Sequence, residues 1–266
     1  MCLDLGYNAT LDINYYNKIK SHNGFELDNI FHINAKYASL NHAEKLGDLN
    51  NSIYNRFRRA IKGSYKSRIT EENFSVEKFL HRQYSQTYFD GYWQSELYFL
   101  PIIDVIKEEF EFKVNHENLN STNRLFLFEI LNSNSVSLHI RRGDYLNIPL
   151  HNNCCTETYY SNAVQLIKKT NINAKFFIFS DDIAWCMKTF DEISPIYING
   201  NSKESAFLDM FLMSQCKHNI IANSSFSWWS AWLNKNPDKT IIAPKLWFND
   251  ENISIEYLLP KSWIKL

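Results

Sequence analysis

Val136-Ser-Leu-His-Ile140 runs directly into Arg141-Arg-Gly-Asp-Tyr145. A short strand, apolar at every second place, gives way at once to two arginines, a glycine and a carboxylate. The arrangement recurs. Lys175–Phe179 is a continuous apolar run that ends in Ser180-Asp181-Asp182, and Asn219–Ala222 ends in Asn223-Ser224-Ser225-Phe226-Ser227. Between these strands the spacing is helical. Thr156 can cap a helix with Tyr159, Ala163, Leu166 and Ile167 on one face, closing on Lys168 and Lys169 as a helix C-terminus prefers. Ile183–Phe190, Ser205–Cys216 and Phe226–Asn234 read as further helices, and Ile196–Ile198 and Thr240–Ala243 as short strands. Strand and helix alternate, which predicts an α/β fold with a parallel, doubly wound sheet.

Upstream of this half the pattern is mixed and mostly helical. Ala9–Tyr15 reads as a short strand. Ala38–Leu46, Ser52–Ile61, Val76–Tyr84 and Gln94–Phe110 carry helical spacing, the last with Pro101 to start or kink a helix. Two polar, asparagine-rich breaks, Asn115–Asn123 and Asn132–Ser135, bracket a helix Arg124–Leu131. The domain boundary is placed in this stretch, giving domains 1–132 and 133–266.

Composition narrows the function. The 266 residues are 45% hydrophobic and 21% charged, which is globular. Lys and Arg number 28 against 29 Asp and Glu, so no global positive field draws nucleic acid or an anionic membrane, and any anion site is built locally. Five cysteines without a C-x-x-C pair argue against a zinc cluster or a secreted disulfide framework and fit a reducing compartment. No apolar run reaches the roughly 18 residues that span a bilayer, and the N-terminus does not read as a signal peptide. Seven glycines form neither a G-x-G-x-x-G nor a Walker loop.

Ligands of an open parallel sheet bind beyond the carboxyl ends of its strands, and all three polar clusters fall there. Each supports two readings. Asn223-Ser224-Ser225-Phe226-Ser227 opens a helix, where hydroxyls and free N–H groups make an anion site, or Ser224 simply caps it. Arg141 and Arg142 offer planar forks that suit phosphate, or they pair internally with Asp144 or Asp181. Ser180-Asp181-Asp182 is a helix cap or part of a nucleotide site. As a metal site, two adjacent carboxylates without a third ligand are poor.

Five segments together carry a resemblance. His139-Ile-Arg-Arg-Gly-Asp-Tyr145 resembles the H-x-R-R-G-D-Y motif of the alpha-1,2-fucosyltransferases, glycosyltransferase family 11. Phe177-Ile-Phe-Ser-Asp-Asp182 is similar to their second motif, and Asn223-Ser-Ser-Phe-Ser-Trp-Trp229 with Ser230-Ala231-Trp232-Leu233 to their third. Asp90-Gly-Tyr-Trp-Gln-Ser95 with Tyr98-Phe99, and Gly24-Phe-Glu-Leu27, match upstream. The resemblance implies a two-domain, glycosyltransferase-B-like enzyme with a Rossmann-like C-terminal domain. It would move L-fucose from GDP-L-fucose to the 2-hydroxyl of a terminal galactose on a glycan, with inversion and without a metal or other cofactor. It implies that Arg141 and Ser225 hold the β-phosphate and that His139 and Asp209 face the guanine. Arg141, Arg142 and Asp144 are the expected catalytic residues. His139, Arg141, Ser180, Asp181, Asp182, Asp209, Asn223, Ser224, Ser225 and Ser227 are the expected donor-binding set. It also implies a cytoplasmic protein of the bacterial type, peripheral at the inner membrane, with no nucleic-acid partner.

Members of that family begin with a strand, a Gly-Gly-x-Gly-Asn-Gln loop and a helix, none of which this sequence contains. The helix-rich N-terminal domain is therefore expected to be truncated, and a GDP-sugar-binding remnant without turnover is the alternative activity. Arg142-Gly143-Asp144 also admits an adhesive protein, which would require Arg142 on a projecting loop.

Overall fold

The computed structural model describes residues 8–18, 24–65, 67–71, 76, 86–114, 116–201 and 203–266. The chain divides into two compact units, Met1–Glu111 with Ser254–Leu258, and Phe112–Ile253 with Leu259–Leu266.

In the second unit the chain runs α1 (Ser121–Leu131), β1 (Asn134–Ile140), α2 (Glu157–Thr170), β2 (Ala174–Ser180), α3 (Ile183–Phe190), β3 (Ile196–Ile198), α4 (Ala206–Gln215), β4 (His218–Ile220), α5 (Ser225–Trp232), β5 (Ile241–Ala243) and β6 (Ile264–Lys265). The six strands form one sheet in the order β6-β5-β4-β1-β2-β3, every pair parallel. Read from the other edge this is 3-2-1-4-5-6, the Rossmann order, whose direction reverses between β1 and β4. β1 pairs with β2 from Asn134 to Ile140 and with β4 from Val136 to Leu138. The chain therefore leaves β1 and β4 side by side at the switch point.

The continuous apolar run of β2 is explained by burial on both faces. Phe176 and Ile178 pack with Tyr160, Ala163 and Ile167 of α2 and Cys186 and Phe190 of α3. Phe177 and Phe179 pack with Leu127 and Ile130 of α1 and Phe211, Leu212 and Met213 of α4. Each of these buried phenylalanines contributes about 1.5–3 kcal/mol of transfer free energy. β1 alternates differently. Val136, Leu138 and Ile140 join the α2 side, while Ser135, Ser137 and His139 are buried on the other. There Asn219 Nδ2 donates to Ser137 Oγ at 2.7 Å and to the Met213 carbonyl at 2.8 Å. Asn219 Oδ1 accepts from Asn234 Nδ2 at 2.7 Å, so the junction of β1 and β4 is fastened by amides.

The expected strands and helices of this half are present, most within two residues of the expected ends. The edge strand β6 was not anticipated. It is two residues long, pairing Ile264 with Ile242. Helix α1 begins at Ser121 because Asn120 Oδ1 accepts from Asn123 N at 2.8 Å. Leu127 and Ile130 of α1 pack into the second unit's core, and the contact division falls after Glu111, where the sequence placed it after residue 132.

The first unit has two small parallel strand pairs, Thr10–Leu11 with Lys36–Tyr37 and Arg68–Thr70 with Tyr88–Asp90. Strand Ala9–Tyr15 shrinks to Thr10–Leu11 because Asp12 Oδ1 accepts from Asn14 N at 3.0 Å and the chain turns into helix Asn14–Lys18. Ala38–Leu46 and Ser52–Ile61 are the helices Leu40–Gly47 and Ile53–Lys62, capped by Ser39 and Ser52. Gln94–Phe110 is three pieces. Two 3-10 turns, Glu96–Tyr98 and Leu100–Ile102, precede helix Ile103–Glu109, since Pro101 has no N–H to continue a ladder. Of Val76–Tyr84 only Val76 lies within the described residues. Among the described residues no helix is long and apolar enough to cross a membrane.

Candidate active site

β1 ends at Ile140, and the next residues meet the end of β2. Arg141 Nη2 lies 2.7 Å from Asp144 Oδ1, and its Nε 3.1 Å from Asp181 Oδ2. Arg142 Nε lies 3.2 Å from Asp182 Oδ2, its backbone N–H donates to Asp181 Oδ1 at 2.9 Å, and its guanidinium carbon sits 4.0 Å over the Trp185 ring. Asp182 also caps α3, accepting from Trp185 N at 3.1 Å, while its own N–H donates to Ser180 Oγ at 2.9 Å. Gly143 sits close to this cluster: a Cβ there would stand 2.7 Å from Asp181 Oδ2 and would push that carboxylate off Arg141. Two guanidinium groups thus face three carboxylates in one bonded cluster. The internal pairing of the arginines is realised for both. Arg141 keeps 36% of its side chain exposed, enough for one face of its fork to meet a ligand.

The serine cluster joins from β4. Asn223 is buried and fully engaged. Its Nδ2 donates to the Trp247 carbonyl at 3.0 Å, and its Oδ1 accepts from Cys155 Sγ at 3.4 Å. Ser224 is the buried N-cap of α5 through its backbone alone, its side chain making no cap bond, and it stands beside the Tyr145 phenol, whose pKa burial pushes up. That contact ties the loop after β1 to the loop after β4. Ser227 is fully buried, with its hydroxyl donating to the Ala222 and Ser224 carbonyls at 3.2 Å, a place in the turn's own framework rather than facing a ligand. Ser225 alone of the three serines is exposed, at the first position of α5.

His139 and Asp209 belong to the opposite face of the sheet. His139 is buried 5.7 Å from the Phe226 ring, and its Nδ1 has no hydrogen-bond partner. Burial, and then the Arg141 charge, push its pKa down to about 3, so the ring is neutral. Phe226 packs against the cluster that contains α4, the helix that carries Asp209. Burial pushes the Asp209 carboxyl up to about 6, against the bond its Oδ1 accepts from Asn201 Nδ2 at 2.6 Å. Asn201 in turn exchanges amide hydrogen bonds with the buried Asn123.

A cavity of about 240 Å³ opens beside these loops, lined by Arg141, Arg142, Tyr145, Thr156, Trp185 and Asn223 among others. Tyr145 stacks on His151 at 4.6 Å, forming one wall. Of the expected set, the structure brings Arg141, Arg142, Asp144, Ser180, Asp181, Asp182, Asn223 and Ser224 into this bonded region. Tyr145 and Trp185 were not singled out by the sequence. Tyr145 stood in the quoted motif, and Trp185 lies three places after the Asp182 cap, where it stacks under Arg142. Among the described residues no group of three or more His, Cys, Asp or Glu side chains stands close enough to hold a metal ion. Arg142-Gly143-Asp144 is no projecting loop, since both charged residues are paired and the glycine abuts Asp181.

Guanidinium groups and a helix start at the switch point of a Rossmann sheet suit a phosphate-bearing ligand. The profile of glycosyl transferase family 11 matches residues 45–266, and the chain belongs to that family. Similar relatives include the alpha-1,2-colitosyltransferase of Escherichia coli, 36% identical over 266 residues, covering 96% of this chain and 88% of the relative. O-antigen biosynthesis glycosyltransferase WbnK of Escherichia coli is 41% identical over 162 residues, 58% of this chain and 53% of the relative. Galactoside 2-alpha-L-fucosyltransferase Sec1 of Mus musculus is 25% identical over 181 residues, 62% of this chain and 48% of the relative.

Proposed function

We propose that this glycosyltransferase is an inverting alpha-1,2-fucosyltransferase of glycosyltransferase-B type, which moves L-fucose from GDP-L-fucose to the 2-hydroxyl of a terminal galactose. The observation that carries this is Arg141, held by Asp144 and Asp181 at the switch point with part of its fork exposed. As the bond from fucose to the diphosphate breaks, negative charge grows on a phosphate oxygen. GDP leaves without a general acid, and what it needs is fixed positive charge. Arg141 supplies it, and Ser225 with the N–H groups opening α5 adds the helix dipole. Asp144 and Asp181 act by keeping the Arg141 fork aimed. Arg142 is anchored by Asp182 and Trp185 and shapes the neighbouring wall. Asp209, as a carboxylate, suits the paired N–H donors of a guanine edge.

The colitosyltransferase relative favours a second donor. Colitose is L-fucose without its 3-hydroxyl, so the two readings share leaving group, linkage and phosphate site. The test is transfer from GDP-fucose and from its 3-deoxy analogue to a terminal galactoside, with linkage analysis of the product. Alpha-1,2-linked fucose supports the proposal. Transfer of the 3-deoxy sugar alone would move it to the second donor, and GDP binding without either product would leave a sugar-nucleotide-binding remnant. Arg141→Ala should weaken GDP binding about ten- to a hundredfold and lower kcat by on the order of a hundredfold or more. Arg141→Lys should rescue little, because it keeps the charge and loses the fork. A folded Arg141→Ala enzyme with parental binding and rate would remove this loop from the donor site.

A further inference from the structure

Helix Ile53–Lys62 in the first unit is amphipathic in the inverted sense. Its inward residues are polar. Arg58 and Arg59 both pair with the buried carboxylate of Asp48, and Arg59 also donates to the Asp48 carbonyl at 2.8 Å, the Asn50 carbonyl at 2.9 Å and Asn51 Oδ1 at 3.0 Å. Asn55, Arg58 and Arg59 are the half-buried residues, and every other position of the helix is exposed. The apolar side chains point away from the protein: Ile53 is 87% exposed, Tyr54 77%, Phe57 67% and Ile61 65%. At 100° per residue Ile53, Phe57, Ile61 and Tyr54 span a single arc of about 100°, with Ala60 at its margin. A helix normally turns such a stripe to the core. Here charge–carbonyl bonds at the back hold the stripe outward.

The charge around the stripe selects its occupant. The chain as a whole carries a net charge of −1, yet between Asp48 and Glu71 it has six basic residues and no acidic one; Arg58 and Arg59 are paired with Asp48 and Arg68 with Asp90, and no acidic residue stands on the helix itself. Arg56 and Lys62 are exposed on the helix itself, and Arg56 lies at the edge of the stripe. An apolar arc with large side chains, with a cation at its edge and no carboxylate on the helix, is what an interfacial helix presents to a bilayer. We propose that this face docks the protein on an anionic phospholipid surface, with Ile53, Tyr54, Phe57 and Ile61 entering the headgroup–acyl boundary and Arg56 and Lys62 meeting lipid phosphates. Each basic residue near such a surface strengthens binding about fivefold. This inference is independent of which sugar or acceptor the enzyme uses.

The experiment is co-sedimentation of the full chain with mixed phosphatidylcholine–phosphatidylglycerol vesicles and with pure phosphatidylcholine vesicles, beside the triple variant Ile53→Ser, Phe57→Ser, Ile61→Ser and the variant Arg56→Glu. The parent should bind the anionic vesicles, release as salt is raised, and bind neutral vesicles at least tenfold more weakly. The triple variant should lose more than tenfold in anionic-vesicle binding, and Arg56→Glu should lose several-fold. Because the replaced groups face outward, both variants should keep the parent's melting temperature and oligomeric state. Three results would each overturn the proposal: equal or absent binding to both vesicle types, a triple variant that binds like the parent, or a triple variant that melts lower or changes its oligomeric state. The last would assign the face to another part of the chain or to a second copy.

Discussion

Asp209 is the side chain at which a single proton matters most. Its folded value of about 6 lies above the ordinary 3.8 because burial disfavours the charged form. If the carboxylate receives guanine N–H groups, GDP binding should weaken by about tenfold per pH unit below 6. Asp209→Asn should bind GDP more weakly at neutral pH and remove that slope, which calorimetric titration between pH 5 and pH 8 would read as a loss of about tenfold in the parent, nearly all of it below pH 6. A parent affinity flat across this range would sink the assignment. Stability carries the same signature with two opposed signs. The folded Asp209 binds a proton more tightly than the unfolded chain, so its contribution grows as pH falls through about 6 toward 3.8. His139 runs the other way: its folded value of about 3 lies below 6.5, and its contribution, complete above 6.5, is lost as pH falls toward 3. Asp209→Asn leaves His139 unopposed, so the variant's melting temperature should fall more steeply than the parent's between pH 6 and pH 4.

At the scale of elements, α5 shows how a binding turn is fixed in place. Trp228 is fully buried, stacked on Trp232 at 6.3 Å and tilted on Trp263 at 5.6 Å, while Trp229 is only half-buried. Trp228→Ala should cost about 3–5 kcal/mol of stability, measurable by urea unfolding. Trp229→Ala should cost less, and the folded protein should keep GDP affinity near the parent's. A stable Trp229→Ala protein that has lost only donor binding would show the aromatic to be a sugar platform. The elements that the sequence disclosed were those whose signal is local. β2 was legible because both its faces are buried and no polar residue interrupts Phe176–Phe179, and α2 because Thr156 caps it and lysines close it. Arg141, Arg142, Asp181 and Asp182 were legible because each follows a strand directly. The two-residue strand β6 has no periodicity to detect, and helix Asn14–Lys18 depends on one Asp12 turn. The approach of Ser224 to Tyr145 and the Arg142–Trp185 stack needed the strand order, since each joins residues far apart in the chain. The inward hydroxyl of Ser227 was equally hidden, because a serine capable of capping and one buried beneath the cap look alike in sequence.

For the whole molecule, the proposed mechanism assigns the positive charge for a leaving diphosphate to Arg141 and the start of α5, with no resident cation. Transfer should therefore persist in excess EDTA at close to its full rate. Complete loss, restored by manganese, would require another mechanism. The amide-fastened junction of β1 and β4 has a consequence for synthesis. Ser137 and its partner Asn219 are 82 residues apart in the chain, so β1 leaves the ribosome long before β4 exists. At roughly 5–20 residues per second the wait lasts on the order of 4–16 s. During it β2 can take one edge of β1, but the other edge stands open to any extended chain nearby. The face that still lacks α4 in that interval carries Ser135, Ser137 and His139 rather than valines or leucines. A nascent strand that shows hydroxyls while it waits is a poor template for aggregation, so the polar seam at the switch point serves the newborn chain before it serves the finished enzyme.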